Sequence, residues 1–358
     1  MIPLPPIARS RALVLAVEVV AGLAVNAGCS QGMVATADPR PSPTERASPT
    51  RPIAVPSGAK GTAVAPPGST SGSIDLWLLL GARGDPRLVR RTATGPDVGP
   101  RIPGPPADTR WASGDLGRGF VARAGPAGGL SALAVQGGRP EDSWRRVGIG
   151  AGGPSRPPSF PTLSPDGGRI AATLGDPGSG RADAALLLID HVSGRTTEIT
   201  LDGRDDGRPP AWLGDGTVVV PLLDGSDAPA LAVVDTASGH VSHRPSLGGA
   251  FAASSDGRVV AAADRGSAIV RVGPATTHGD SYAWAAAGDV ILPPDGATQA
   301  GQLLVDRTGL RLAVTWLDAA GDPAGVTVYG RAGDRWETRA VIPLSGGTEV
   351  VVLVGFDP

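Results

Sequence analysis

From Ser73 onward the chain is a succession of short apolar runs separated by turn signals. "IDLWLLL", "RIAATL", "ALLLID", "TVVVPLL", "ALAVVD", "RVVAAAD", "AIVRV", "RLAVTWL", "VTVYG" and "EVVVLVGF" are each strand-length. Several alternate apolar with polar. Others are apolar throughout, as strands buried on both faces must be. No apolar stripe of period 3.6 persists for three helical turns, so the pattern predicts an all-β domain.

The runs recur in order. "PTLSPDGGRIAATL" precedes "ALLLIDHVSGRTTEITL", and "PPAWLGDGTVVVPLL" precedes "ALAVVDTASGHVSHRPSL". "AFAASSDGRVVAAAD" precedes "SAIVRVGPATTHGDSYAW", and "QLLVDRTGLRLAVTWLD" precedes "GVTVYGRAGDRWETRAVIPL". "TRWASGDLGRGFVARAG" opens a weaker copy. Each reads as strand, Asp-Gly-type turn, strand, loop, strand, Gly turn, strand. The turn aspartates are Asp115, Asp166, Asp215, Asp256 and Asp306, separated by 51, 49, 41 and 50 residues. Four strands at that period are the signature of a propeller blade. "IDLWLLLGARGDPRLVRRT" matches the second half of a repeat with no turn motif before it, and "GTEVVVLVGFDP" has no second half after it. Joining them predicts a ring closed by N- and C-terminal strands sharing one blade, which brings the total to six.

Leu163-Ser164-Pro165-Asp166-Gly167 and Trp212-Leu213-Gly214-Asp215-Gly216 carry most of a Trp-Ser-Pro-Asp-Gly turn. Ser255-Asp256-Gly257 keeps its centre, and Asp306-Arg307-Thr308-Gly309 carries an extra residue. On these motifs residues 73–358 resemble the TolB-like six-bladed β-propellers, with their WD40-like PD40 repeats. The resemblance implies the fold. TolB's own separate α/β domain has no counterpart before Ser73, so its translocation role is not implied.

Upstream the pattern changes twice. Arg9 and Arg11 precede a mostly apolar run, Ala12 to Val25, and Ala27-Gly28 leads into Cys29. Residues 1–28 resemble a bacterial lipoprotein signal, which implies lipid attachment at Cys29, a membrane anchor through that lipid, and an extracytoplasmic address. Cleavage by the ordinary signal peptidase, giving a secreted protein, is the alternative. A spanning helix is disfavoured by the short run and by Glu18 within it. Residues 29–72 are a Pro/Ser/Thr-rich tether with eight prolines and no apolar periodicity. Such a segment cannot bury enough surface to offset its ordering entropy. As a coil it spans about 35–40 Å.

Composition adds exclusions. The 358 residues carry 32 basic and 34 acidic side chains, a net charge of −2, which gives no reason to expect nucleic acid. A single cysteine forms no internal disulfide and no thiolate metal site. The repeated aspartates, with Gly167, Gly216, Gly257 and Gly309, read as structural turns: Asp accepts from nearby backbone N–H groups while Gly supplies positive φ. Asp202, Asp205 and Asp206 cluster without the spacing of a calcium loop, and Arg204 and Arg208 offset their charge. His240 and His243 are three apart on a strand, which points them to opposite faces, His191 sits at a strand end, and His278 stands alone. Trp77, Trp212 and Trp316 lie in or beside apolar strands and read as blade packing. Trp111, Trp144, Trp284 and Trp336 have polar neighbours, so an exposed binding face is an option for them. No Gly-x-Ser-x-Gly elbow, sialidase Asp box or phosphate loop is present, and no catalytic residue, cofactor site or metal site is assigned.

The function expected is therefore non-enzymatic: a lipid-anchored monomeric propeller that binds a protein or glycan partner in the envelope. An extracytoplasmic hydrolase or lyase with dispersed residues is the alternative. The anchor has a direct check: Cys29→Ala should move the protein from the membrane fraction to the soluble fraction. Retention in the membrane pellet would refute lipid anchoring.

Overall fold

The structure, a computed structural model, describes residues 74–82, 85–92, 95–96, 102–124, 129–149, 156–174, 183–245, 250–264, 266–274, 276–278, 281–283, 288–344 and 350–357. All of these lie in the unit Gly58–Pro358. The signal segment, Cys29 and the tether fall outside the described residues. Among those described there is no helix, and hence none long and apolar enough to cross a membrane.

Six antiparallel sheets form a six-bladed propeller. Innermost strands are followed outward by their partners. In the third blade these are Pro158–Leu163, Arg169–Leu174, Ala185–Asp190 and Thr196–Thr200. The second starts from Thr109–Asp115, the fifth from Phe251–Ala253 and the sixth from Gln299–Val305. The fourth starts from the short Ala211–Leu213, and Arg204–Asp205 also pairs with its second strand. Short hairpins flank two blades, Val135–Gln136 with Arg139–Pro140 and Thr276–His278 with Ser281–Ala283.

The first blade is composite, as the two partial repeats predict. Val350–Phe356 is its innermost strand and pairs antiparallel with Leu76–Ala82, which pairs in turn with Asp85–Thr92 and that with Gly95–Pro96. The split is one strand from the C-terminal side and three from the N-terminal side, not the half and half that the two incomplete repeats predict, because Leu76–Ala82 is already the second strand of the blade. Closure leaves Leu76–Ala82, the second strand of the blade, no free edge at the seam.

Packing follows from strand alternation. Successive side chains point to opposite faces, and each blade has a neighbour on both. In Leu76–Ala82, Leu76 and Leu78 pack with Val326, Val328 and Leu353 toward the sixth blade. Trp77 and Leu79 pack with Trp111, Phe120 and Val352 toward the second. In Ala185–Asp190, Leu186 and Leu188 join Val218 and Val220 of the fourth blade. Leu187 and Ile189 join Val121 and Leu130 of the second. The apolar run "ALLLID" is thus two half-cores on one strand. Every junction between neighbouring blades has such a core.

Asp357 fastens the seam. Its Oδ1 accepts from Trp77 Nε1 at 2.7 Å and from Leu116 N at 3.1 Å. Arg90 Nε lies 2.8 Å from its Oδ2. Its backbone N–H donates to Asp75 O at 2.9 Å, and its carbonyl accepts from Arg311 Nη2 at 2.5 Å. The side chain is buried, and burial pushes its carboxyl above the ordinary carboxylate value, with the Trp77 donor opposing that push. Nearby, Gly355 lies against the backbone of Gly114 so closely that a Cβ there would overlap the Gly114 carbonyl.

Both features predict seam-specific instability. Asp357→Ala takes the acceptor from the buried Trp77 indole and from the half-buried Leu116 N–H and Arg90 guanidinium and should cost about 3 kcal/mol or more, and Asp357→Asn, which keeps one acceptor, about 1–2 kcal/mol. Gly355→Ala should cost about 1–3 kcal/mol through overpacking. Urea unfolding checks all three, and unchanged midpoints would show that the seam is fastened elsewhere.

Candidate functional site: the axis and the turn end of the ring

The innermost strands run toward one end of the ring, where the Asp-Gly turns sit. That end and the axis collect residues from all six blades. The axial cavity has a volume of about 100 Å³ and is lined by Trp111, Thr162, Trp212, Phe251, Leu303 and Val354 among others. This is well below the roughly 300–1,000 Å³ of ordinary small-molecule pockets and suits a few waters. The two tryptophans there are tied to backbone: Trp111 Nε1 donates to Pro161 O at 3.1 Å and Trp212 Nε1 to Thr162 O at 3.3 Å.

Arg307 closes the cavity at the turn end. Its Nη2 donates to Pro165 O of the third blade, opposite its own, at 3.2 Å. Its Nε lies 3.5 Å from Asp115 Oδ2 of the second blade. Its carbonyl accepts from Ser255 N at 3.3 Å and from Ser255 Oγ at 3.0 Å, in the fifth blade. One residue of the sixth blade thus touches three others. Burial lowers its guanidinium pKa, and Asp115 counters that shift.

The five turn aspartates fall into different positions. Asp115 and Asp306 are buried, at 0% and 4% exposure, at the first position of the turn. Asp306 Oδ1 accepts from Leu310 N and Arg311 N, and Oδ2 from Arg311 Nε at 2.8 Å. Asp115 Oδ1 accepts from Gly117 N and Arg118 N, and Oδ2 from Arg118 Nε at 2.7 Å. In the third and fifth blades Ser164 and Ser254 occupy this position and accept from Arg169 N and Val259 N. Asp166 and Asp256 stand two residues later, exposed, and accept from those serine hydroxyls at 2.5 and 2.6 Å. The repeat alignment therefore slips at Asp115 and at Asp306, whose counterparts are Ser164 and Ser254 and not Asp166 and Asp256. Asp and Ser are interchangeable acceptors there, and the sequence pattern does not separate them.

Positive φ follows the glycines with one shift. Gly167, Gly257 and Gly309 have φ of 75°, 66° and 70°. In the fourth blade the turn is tighter, with Leu213 paired to Thr217, and Gly214 (φ 64°) takes the role expected of Gly216. Asp215 Oδ1 reaches the third blade and accepts from Asp166 N at 3.1 Å.

The remaining candidates are dispersed. Asp206 lies 3.2 Å from Arg208 Nε, Arg204 pairs with Asp227, and Asp202 lies 3.9 Å from His243. Asp205 is buried against Gly207 N, and desolvation, then Asp206, raises its pKa. Among the described residues no three His, Cys, Asp or Glu side chains converge on a point that could hold a metal. His191 Nδ1 lies 3.2 Å from Gly168 O, and His240 is exposed. Trp77, Trp212 and Trp316 are buried, as expected of blade packing. The option of an exposed face fails for Trp111 and Trp336, both 8% exposed, and Trp144 is packed with Nε1 on Pro103 O. Trp284 and the side chain of His278 lie outside the described residues.

No protein-family model matches the chain, and no curated protein matches it. Among solved structures, a putative TolB from Agrobacterium tumefaciens aligns at TM-score 0.47 and 14% identity, over 76% of this chain and 91% of that one. TolB from Acinetobacter baumannii aligns at 0.41 and 11%, over 76% and 54%, so this chain spans about half its length. A functionally unknown protein from Desulfotomaculum acetoxidans aligns at 0.43 and 10%, over 79% and 100%. The propeller itself rests on this chain's own strand pairing.

The turn geometry makes a titration prediction. The Ser164 hydroxyl is the main reason the Asp166 carboxyl lies below its ordinary value of 3.8, with desolvation opposing. A depressed folded-state pKa contributes stability above the unfolded value and loses it as pH falls through the folded one. In Ser164→Ala, NMR should show the Asp166 titration moving up toward 3.8. An Asp166 that titrates above that value in the wild-type protein would instead make it a candidate proton donor.

Proposed function

We propose that this chain is a non-enzymatic propeller of the cell envelope, held outside the cytoplasm by a lipid on Cys29 and a Pro-rich tether. It acts as a monomer and binds a protein or glycan partner through one end of its ring. The observation that carries the reading is the axis. A cavity of about 100 Å³ with Arg307 drawn across its turn end leaves a partner no channel to thread. Recognition then falls to the ends of the ring, where rigid strands present loops that differ from blade to blade. The turn acids support the same reading, because Asp115, Asp166, Asp256 and Asp306 already accept hydrogen bonds within their own turns. The address rests on the signal-like residues 1–28.

The two ends are distinguishable by photo-cross-linking in intact cells. A photoreactive residue replacing Val192 reports on the turn end, and one replacing Ala320 on the end opposite; both sites are exposed. One end should give a single discrete adduct and the other none. Absence of any adduct from both positions would overturn the binding reading.

A further inference from the structure

Ion pairs hold arginines at both ends of the ring, and the second blade carries two that stand outside them. At the turn end, Arg90 pairs with Asp75 and Asp357, Arg118 and Arg307 with Asp115, Arg311 with Asp306, and Arg258 with Asp256. At the opposite end, where the innermost strands begin, Arg204 pairs with Asp227 and Arg208 with Asp206 in the fourth blade, and the second blade carries Arg110 and Arg123. Neither makes an ion pair among the described residues.

Their placement follows from the strand register. Trp111 pairs with Arg123, and a bulge between Thr109 and Trp111 leaves Arg110 as the extra residue beside that pair. Arg123 is half-buried and Arg110 is exposed. Arg123 Nε donates to Pro158 O of the third blade at 2.8 Å. That bond fixes the guanidinium at the junction of the two blades and leaves Nη1 and Nη2 without a protein acceptor among the described residues. Burial lowers the Arg123 pKa, and the like charge of Arg110 lowers it further. A partly desolvated cation beside another cation is unfavourable unless a counter-charge is supplied. Two residues before Pro158, Arg156 has a buried Nη1 with no hydrogen-bond partner among the described residues, and its charge acts on Asp205 of the next blade. The floor beside the pair is rigid: Trp111 packs edge-on against Phe160 at 5.2 Å between ring centroids, and Phe160 is held at φ 49°.

We propose that this end of the ring, at the junction of the second and third blades, is a binding site for an oxyanion-bearing group, a carboxylate or a phosphate, held by Arg110 and the free Nη groups of Arg123. A guanidinium whose Nε is already committed still presents its two outer nitrogens, and that fork matches two oxygens of one such group. The site gives the binding reading a ligand chemistry and an end of the ring. It rests on that reading for its role only, because small-anion binding and partner capture fail independently in their separate experiments.

The test uses the full chain and three probes: sodium phosphate, sodium acetate and sodium chloride at matched ionic strength. Thermal unfolding and calorimetry should show saturable binding of phosphate or acetate and none of chloride. Arg110→Gln should weaken that binding by about tenfold or more, without loss of fold, since Arg110 is exposed and makes no hydrogen bond or ion pair among the described residues. Arg123→Gln should abolish it; if that variant is unfolded, Arg110→Gln alone decides. Binding of phosphate but not acetate assigns the site to a phosphate group, and binding of both extends it to carboxylates. No saturable binding, or the same affinity in Arg110→Gln, means an adventitious ion only and overturns the proposal.

Discussion

The Asp357 carboxylate is the contact on which the ring depends. It gathers the indole of Trp77, the backbone of Leu116 and the guanidinium of Arg90 within hydrogen-bond reach of two oxygens. These partners sit in the first and second blades, and Arg311 of the sixth binds its carbonyl. The apolar cores explain why one node matters so widely. Each blade has two apolar faces, so an open chain of blades leaves one face of its first blade and one of its last in water. Closing the seam buries both, in the core of Leu76, Leu78, Leu353 and Val326. That burial is non-directional, whereas the Asp357 bonds fix the register in which it happens.

Within the turns a division of labour separates residues that look alike. The first position needs a buried acceptor for backbone N–H groups across the turn, which Asp115, Asp306, Ser164 and Ser254 all provide. Where the acceptor is Asp, an Arg later in the same turn neutralises it: Arg118 beside Asp115 and Arg311 beside Asp306. Where it is Ser, the third-position Asp166 or Asp256 accepts the hydroxyl's hydrogen bond instead. Both solutions leave the same backbone hydrogen bonds in place.

The sequence made the repeated features legible, and the singular ones stayed hidden. Strand order, six blades and the shared blade follow from a pattern copied several times, so local errors cancel. The apolar-throughout strand at Leu186 to Ile189 is readable because burial on two faces leaves a compositional mark. Asp115 and Asp306 align with Ser164 and Ser254, a match the sequence pattern misses because Asp and Ser offer the same acceptor. Trp111 and Trp336 looked surface-bound because linear neighbours decide that impression, although next-blade contacts decide burial. Arg307 and Asp357 could not be found by periodicity. Each acts once, and Arg307 meets Pro165 across 142 residues of chain while Trp77 meets Asp357 across 280. The bulge that seats Arg110 beside Arg123 is likewise a register fact, invisible until strands are paired.

The one-plus-three composition of the first blade has a kinetic side. Contacts this remote in sequence form late, after the loop-closure entropy of almost the whole ring has been met. Until then Leu76–Ala82 presents an unpaired edge on the side where Val350–Phe356 will dock. An unpaired edge of that kind is a template for any matching strand. The best-matching strand at high protein concentration is Val350–Phe356 of a second copy, because it carries the native register. Ring closure is thus in competition with strand exchange between copies, and the contest is set by concentration: dilute chains close on themselves, and concentrated, half-folded chains can link into swapped pairs.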